Sequence, residues 1–108
     1  MSAVTTHVLD TALGVPAAGV PVRLELAGAG VLGAGVTDLD GRIRELGPDH
    51  LESGCYRLVF DVAQYGVATG QDYFLTTVDI GFTPVEGRAH YHIPLLLSPF
   101  ACSVYRGS

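Results

Sequence analysis

Apolar residues recur in this chain with a period of two. Val20, Val22, Leu24 and Leu26 alternate with Pro21, Arg23 and Glu25, and Tyr56, Leu58, Phe60 and Val62 alternate with Arg57, Val59 and Asp61. Val78, Ile80 and Phe82 follow the same rule, as do Tyr91, Ile93, Leu95 and Leu97. Successive side chains of a strand point to opposite faces, so these runs read as half-buried strands rather than amphipathic helices. Turn residues punctuate them: Gly14, Pro16, Asp40-Gly41, Gly47-Pro48, Ser53-Gly54 and Ser98-Pro99. Short strands at this spacing predict an all-β sandwich. Seven or eight strands are expected, at roughly 4–10, 20–26, 31–38, 42–46, 55–62, 75–82, 89–97 and 100–106. One stretch, Asp61 to Thr69, follows a strand and stops before Gly70; it is the candidate for a short helix.

A chain of 108 residues with 48% hydrophobic content fits a single domain, residues 1–108, with a core of its own. No apolar run approaches the ~20 residues that span a bilayer, and Met1 to His7 has neither a basic start nor a long apolar stretch. The expected setting is therefore the cytoplasm, with no membrane contact. Net charge is −5, and all six basic residues are arginine. This balance argues against nucleic acid, where a basic surface supplies most of the affinity. Arginine in a lysine-free chain suits bidentate anion binding, whereas Arg23, Arg57 and Arg88 read as surface residues. Cys55 and Cys102 lie in strand-like runs without metal-ligand spacing and read as buried free thiols. The Gly-x-Gly-x-x-Gly match at Gly28, Gly30 and Gly33 leads into Ala34-Gly35-Val36, a strand and not a helix. It reads as a flexible hairpin connection, not a dinucleotide site. No metal or other cofactor is expected.

Four places could carry chemistry. In the strand around residues 89–97, the apolar set turns Tyr91, Ile93, Leu95 and Leu97 to the core. His90, His92, Pro94 and Leu96 therefore share the opposite face. Pro94 has no N–H for a ladder, so this strand is an edge or is locally irregular there. From the residues alone His92 is either a surface histidine or a general base. His7 shares a face with Ala3, Thr5 and Leu9; alone it is a surface residue, but beside a second histidine it could orient or charge-balance that ring. Arg42 follows Asp40-Gly41, a strong hairpin-turn signal. It either opens the next strand in solvent or aims a fixed guanidinium at a carbonyl-rich ligand. Last come Tyr105, Arg106, Gly107 and Ser108, after the strand-like Phe100 to Val104. They bring an aromatic ring, a planar cation, a flexible joint and a hydroxyl beside a carboxylate, better suited to orienting a ligand than to nucleophilic attack.

Taken together, Thr5-Thr6-His7-Val8-Leu9-Asp10, Thr37-Asp38-Leu39-Asp40-Gly41-Arg42, His90-Tyr91-His92-Ile93-Pro94 and Tyr105-Arg106-Gly107-Ser108 resemble the 5-hydroxyisourate hydrolases, the transthyretin-related enzymes of urate breakdown. The resemblance spans nearly the whole chain. It implies a transthyretin-like (prealbumin-like) Greek-key β-sandwich with one short helix, and a homotetramer with active sites at the dimer–dimer interface. It further implies cofactor-independent hydrolysis of 5-hydroxyisourate to 2-oxo-4-hydroxy-4-carboxy-5-ureidoimidazoline. Carried over residue by residue, His7, Arg42, His92 and Ser108 would be catalytic. His7, Arg42, Tyr105, Arg106, Gly107 and Ser108 would bind substrate. His50 and His90 match weaker positions and receive no role. The chain departs from the family at Cys102-Ser103-Val104, where Tyr-Ser-Thr is common, at Arg88-Ala89, and in a shorter loop at Gly70 to Tyr73. The alternative is a transthyretin-like carrier of a small ligand, which has no evident need for the two histidines and the final tetrapeptide.

Overall fold

A computed structural model describes residues 2–108. Among these residues nine strands run in order β1 (Val4–Asp10), β2 (Val15–Pro16), β3 (Pro21–Leu26), β4 (Gly30–Val36), β5 (Arg42–Ile43), β6 (Tyr56–Asp61), β7 (Thr77–Phe82), β8 (Tyr91–Ser98) and β9 (Ala101–Val104), with one helix, α1 (Val62–Ala68), after β6. Eight of them fall within or close to the expected spans, and the ninth, the two-residue β2, was not expected. One sheet has the order β2-β1-β8-β9, with β5 also on β1; the other has the order β4-β3-β6-β7. The alternating sets meet between the sheets: Val22, Leu24, Leu58, Phe60, Tyr91, Ile93, Leu95 and Leu97 are all buried in one core cluster. Burying each such side chain stabilises the fold by about 1.5–3 kcal/mol. The glycine-rich stretch at Gly28 and Gly30 is, as read, the turn of the β3–β4 hairpin.

Three expectations change. Asp40-Gly41 does not close a hairpin between neighbours in one sheet. The turn carries the chain from β4 in one sheet to β5, which pairs antiparallel with β1 in the other. Gly41 makes the transfer possible: its φ is +77°, and a Cβ there would meet the Val8 carbonyl oxygen at 2.3 Å. The strand holding Pro94 is not an edge, since β8 lies between β1 and β9. Pro94 sits just where the β9 ladder stops, at Leu95 opposite Val104, so its missing N–H leaves no gap in the pairing. Both cysteines are exposed, not buried. Cys102 is on β9, the edge strand of its sheet among the described residues, and Cys55 stands just before β6, outside the strand.

Helix α1 forms where its modest propensity is supplemented by capping and tethering. The Asp61 side chain caps it by accepting from the Gln64 amide. Tyr65 then donates its hydroxyl to Asp10 Oδ2 at 2.6 Å. Asp10, only 1% exposed, also accepts from Gln71 Nε2 and from the Ala12 and Leu13 amides. Burial pushes the Asp10 carboxyl up, but the Tyr65, Leu13, Gln71 and Ala12 hydrogen bonds together more than offset this, and it sits below the usual range. Its contribution to stability is thus present above about pH 4 and lost as pH falls through the lowered value. Asp10→Ala should cost about 3 kcal/mol, read as a lower urea midpoint at neutral pH and a smaller difference from wild type in acid.

Candidate active site

Register places the chemistry. In the parallel β1–β8 pair Thr5 lies opposite His92 and His7 opposite Pro94, while in the antiparallel β1–β5 pair His7 lies opposite Arg42. Residues directly opposite share a face, so one outer sheet face carries Thr5, His7, Arg42 and His92. A cleft of about 270 Å³ opens there, lined by Thr5, Thr6, Arg42, Ile43, Arg44, His90, His92 and Ser108.

His92 is held from three sides. Its Nδ1 lies 2.8 Å from the Thr5 hydroxyl. Its backbone carbonyl accepts from the Gly107 amide at 2.7 Å. A Cβ on Gly107 would approach His92 Cδ2 to 2.9 Å. The glycine expected as a flexible joint is instead required for close approach: it lets the tail lie on the histidine. With Nδ1 engaged, Nε2 is the nitrogen left for a ligand. Burial foremost, and then the charges of Arg42, His7 and His90, push the His92 pKa below the ordinary histidine value. The ring is therefore a neutral base at physiological pH.

His7 is one step along the same face. Its Nε2 lies 2.9 Å from the Asp40 carbonyl oxygen. A carbonyl only accepts, so Nε2 carries the proton and Nδ1 is the unprotonated nitrogen of the neutral ring. Arg42 is set by the turn before it. Asp38 Oδ1 accepts from the Asp40 and Arg42 amides, each at 2.9 Å, and Asp38 Oδ2 meets Arg44 at 3.2 Å. The Arg42 amide is the chief cause that holds the Asp38 carboxyl below its usual range. Half-buried Arg42 thus presents a guanidinium to the cleft from a fixed backbone. Arg42→Lys should raise KM and lower kcat by a combined ~10–100-fold in kcat/KM, because a point charge cannot copy a planar fork; steady-state kinetics reads both.

The structure thus gathers Arg42, His92 and Ser108 at one cleft, with His7 beside Arg42. Tyr105 and Arg106 go elsewhere: they line a separate apolar hollow of about 260 Å³ with Ile80, Phe82, Tyr91 and Ile93. Sequence reading missed Thr5, Arg44 and His90 as cleft residues. The signal for two of them was present, since alternation puts His90 on the His92 face and Thr5 on the His7 face. Among the described residues, no group of three or more His, Cys, Asp or Glu is placed to hold a metal ion, and no helix is long and apolar enough to cross a membrane.

A model of the HIUase/Transthyretin family matches residues 4–107. The chain belongs to the HIUase/Transthyretin family. Family relatives include the 5-hydroxyisourate hydrolase of Mus musculus, 42% identical over 99% of this chain and 96% of its own length. Among solved structures, the Klebsiella pneumoniae 5-hydroxyisourate hydrolase superposes with a TM-score of 0.88 at 34% identity, covering 99% of this chain and 100% of that one. Transthyretin from Sparus aurata superposes with a TM-score of 0.91 at 29% identity, over 99% of this chain and 97% of that one. Backbone shape therefore does not separate the two branches of the HIUase/Transthyretin family. What separates them must be sought in side chains, and here the cleft carries an imidazole, a guanidinium and a hydroxyl.

Proposed function

We propose that this protein hydrolyses 5-hydroxyisourate to 2-oxo-4-hydroxy-4-carboxy-5-ureidoimidazoline in urate breakdown, with residues 1–108 acting as one transthyretin-like domain and without a cofactor. The observation that carries the reading is the neutral, three-point-held His92 facing Arg42 and Ser108, in a chain whose relatives are named for that hydrolysis. Opening a cyclic amide needs a water made nucleophilic and a stabilised oxyanion. His92 Nε2 takes one proton from water while the oxygen bonds to the ring carbonyl carbon. Arg42 offsets the charge that gathers on the carbonyl oxygen. The carbon–nitrogen bond then breaks, and the leaving nitrogen takes the proton back from His92. His7, its tautomer set by Asp40, supports this from beside Arg42. Ser108 orients the substrate; Gly107 brings it there, and Tyr105 and Arg106 fix the path of the tail.

A homotetramer with sites at the interface between dimers fits this reading. The sheet face that bears His92 continues through Leu9, Val15, Pro16 and Leu96, which line an apolar depression. Leu13 and Val15 are 54% and 46% exposed. Most soluble oligomers are closed and symmetric, and such a face packs well on its own copy. Light scattering should give four chains; a monomer at micromolar concentration speaks against the assembly. The exposed free thiols fit a reducing cytoplasm. The carrier alternative leaves the histidines and Arg42 without a task. A spectroscopic assay separates the two: folded protein, treated with chelator, accelerates the decay of freshly generated 5-hydroxyisourate. Decay at the uncatalysed rate leaves the carrier.

A further inference from the structure

Thr5 joins two histidines through a single hydroxyl. It is buried, 7% exposed, on β1. Its Oγ1 lies 2.8 Å from His92 Nδ1 and 3.1 Å from His90 Nε2. A threonine hydroxyl has one proton and two lone pairs. It cannot donate to both rings. Accepting from both would leave its own proton unbonded, because Thr5 Oγ1 has no other hydrogen-bond partner among the described residues. When both rings are neutral, both contacts are made and the hydroxyl proton is bonded, one ring accepts the Thr5 proton and the other donates an N–H to the Thr5 oxygen. The two tautomers are therefore complementary: the state of one ring dictates the state of the other.

Two arrangements satisfy this rule. In the first, His92 donates from Nδ1–H, Thr5 accepts it, and Thr5 donates to His90 Nε2. His92 Nε2 then turns a bare lone pair to the cleft. In the second, His90 donates from Nε2–H, Thr5 donates to His92 Nδ1, and His92 Nε2–H faces the cleft. The surroundings favour the first. Arg42 lines the same cleft, and its fixed positive charge favours a lone pair over an N–H on the facing nitrogen. His90 is exposed, so water can accept from its Nδ1–H in the first arrangement at little cost.

We infer that His90 is a positioning residue: acting through Thr5, it holds His92 as the Nδ1–H tautomer and so keeps His92 Nε2 free to act as the base. This rests on the base role proposed above and goes beyond it, because His90 need not touch substrate. The arrangement also survives the proton transfer. When His92 Nε2 takes a proton, Nδ1–H still donates to Thr5 and Thr5 still donates to His90, so no hydrogen bond has to turn over.

The test reads the rings directly. Long-range proton–nitrogen correlation spectra of the full, nitrogen-15-labelled protein, at a pH above neutrality and without substrate, report which nitrogen of His92 is protonated. Wild type should show protonated Nδ1 and unprotonated Nε2. His90→Phe removes the acceptor at an exposed position, and Thr5→Val removes the hydroxyl in nearly the same volume. Each should shift His92 toward Nε2–H and lower kcat about tenfold or more while KM changes less. Thr5→Ser, which keeps the hydroxyl, should retain the wild-type ring pattern. A wild-type His92 protonated at Nε2, or an unchanged His92 tautomer in His90→Phe, overturns the inference. Because the spectra need no turnover, a protein inactive on 5-hydroxyisourate would remove the proposed reaction and leave the tautomer result to stand or fall alone.

Discussion

His92→Gln should lower kcat by roughly 10²–10⁴-fold, the range for loss of one general base, with circular dichroism and assembly unchanged. The glutamine can keep a polar contact to Thr5 and fills similar space, so the loss isolates the proton-accepting nitrogen. Wild-type kcat/KM should be flat through neutrality and fall in acid, with its midpoint below about 6.5. The sign follows from the lowered pKa: His92 must be unprotonated to act, and burial together with Arg42, His7 and His90 keeps it so to lower pH. Arg42→Gln removes one of the repelling charges and should move that midpoint upward, though not fully, because burial is the largest cause. Near-full activity of a correctly assembled His92→Gln protein would pass the base role to His7, whose Nδ1 is unprotonated in the neutral ring.

Changes to the tail should be nearly as severe. Ser108 lies in the cleft and the Gly107 amide is bonded to the His92 carbonyl, so residues appended after Ser108 must leave through the substrate's space. A C-terminal tag should depress turnover strongly, and the same tag at Met1 should not. Deleting residues 105–108 should abolish most activity. It should leave the fold intact, since Tyr105, Arg106 and Ser108 are exposed and the last core contact is at Val104. Gly107→Ala is the finest version of this test. Its methyl group must displace a ring pinned by Thr5 or push the tail off the strand, and either should lower kcat tenfold or more. Equal rates from tagged, truncated and unmodified proteins, with matching size-exclusion profiles, would remove the tail from the site.

The period-two runs were enough to place the long strands and their buried faces, because which side a strand residue takes is decided locally. Asp61 to Thr69 was legible as a helix only weakly, since Asp10, fifty-five positions from Tyr65, supplies its tether. The sheet change at Asp38 to Arg42 was invisible: Asp-Gly specifies a turn, and which strand the chain then joins depends on Gly41 fitting against Val8. Cys55 and Cys102 were misjudged for a related reason. Strand-like neighbours reveal neither that β9 is an edge strand nor that Cys55 stands just outside β6. His7, Arg42, His92 and Ser108 were readable as candidates through resemblance. His90 and Thr5 were not, because alternation shows a shared face but not a shared hydroxyl.

The parallel pairing of β1 with β8 has a consequence for how the chain comes to life. Thr5 and His92 stand eighty-seven residues apart, and the strands that reach β1 before β8, namely β2 and β5, each contribute just two residues to it. While the polypeptide is being made, β1 must wait for most of the chain before its main partner exists. Pairing across such a separation is slow, and an unpaired strand edge is a template for unwanted association. The β4-β3-β6-β7 sheet, whose strand pairs are all antiparallel, can form meanwhile and offer β1 an apolar surface to rest on. Catalytic competence then waits for β8, and its appearance in refolding should lag behind the formation of the β4-β3-β6-β7 sheet.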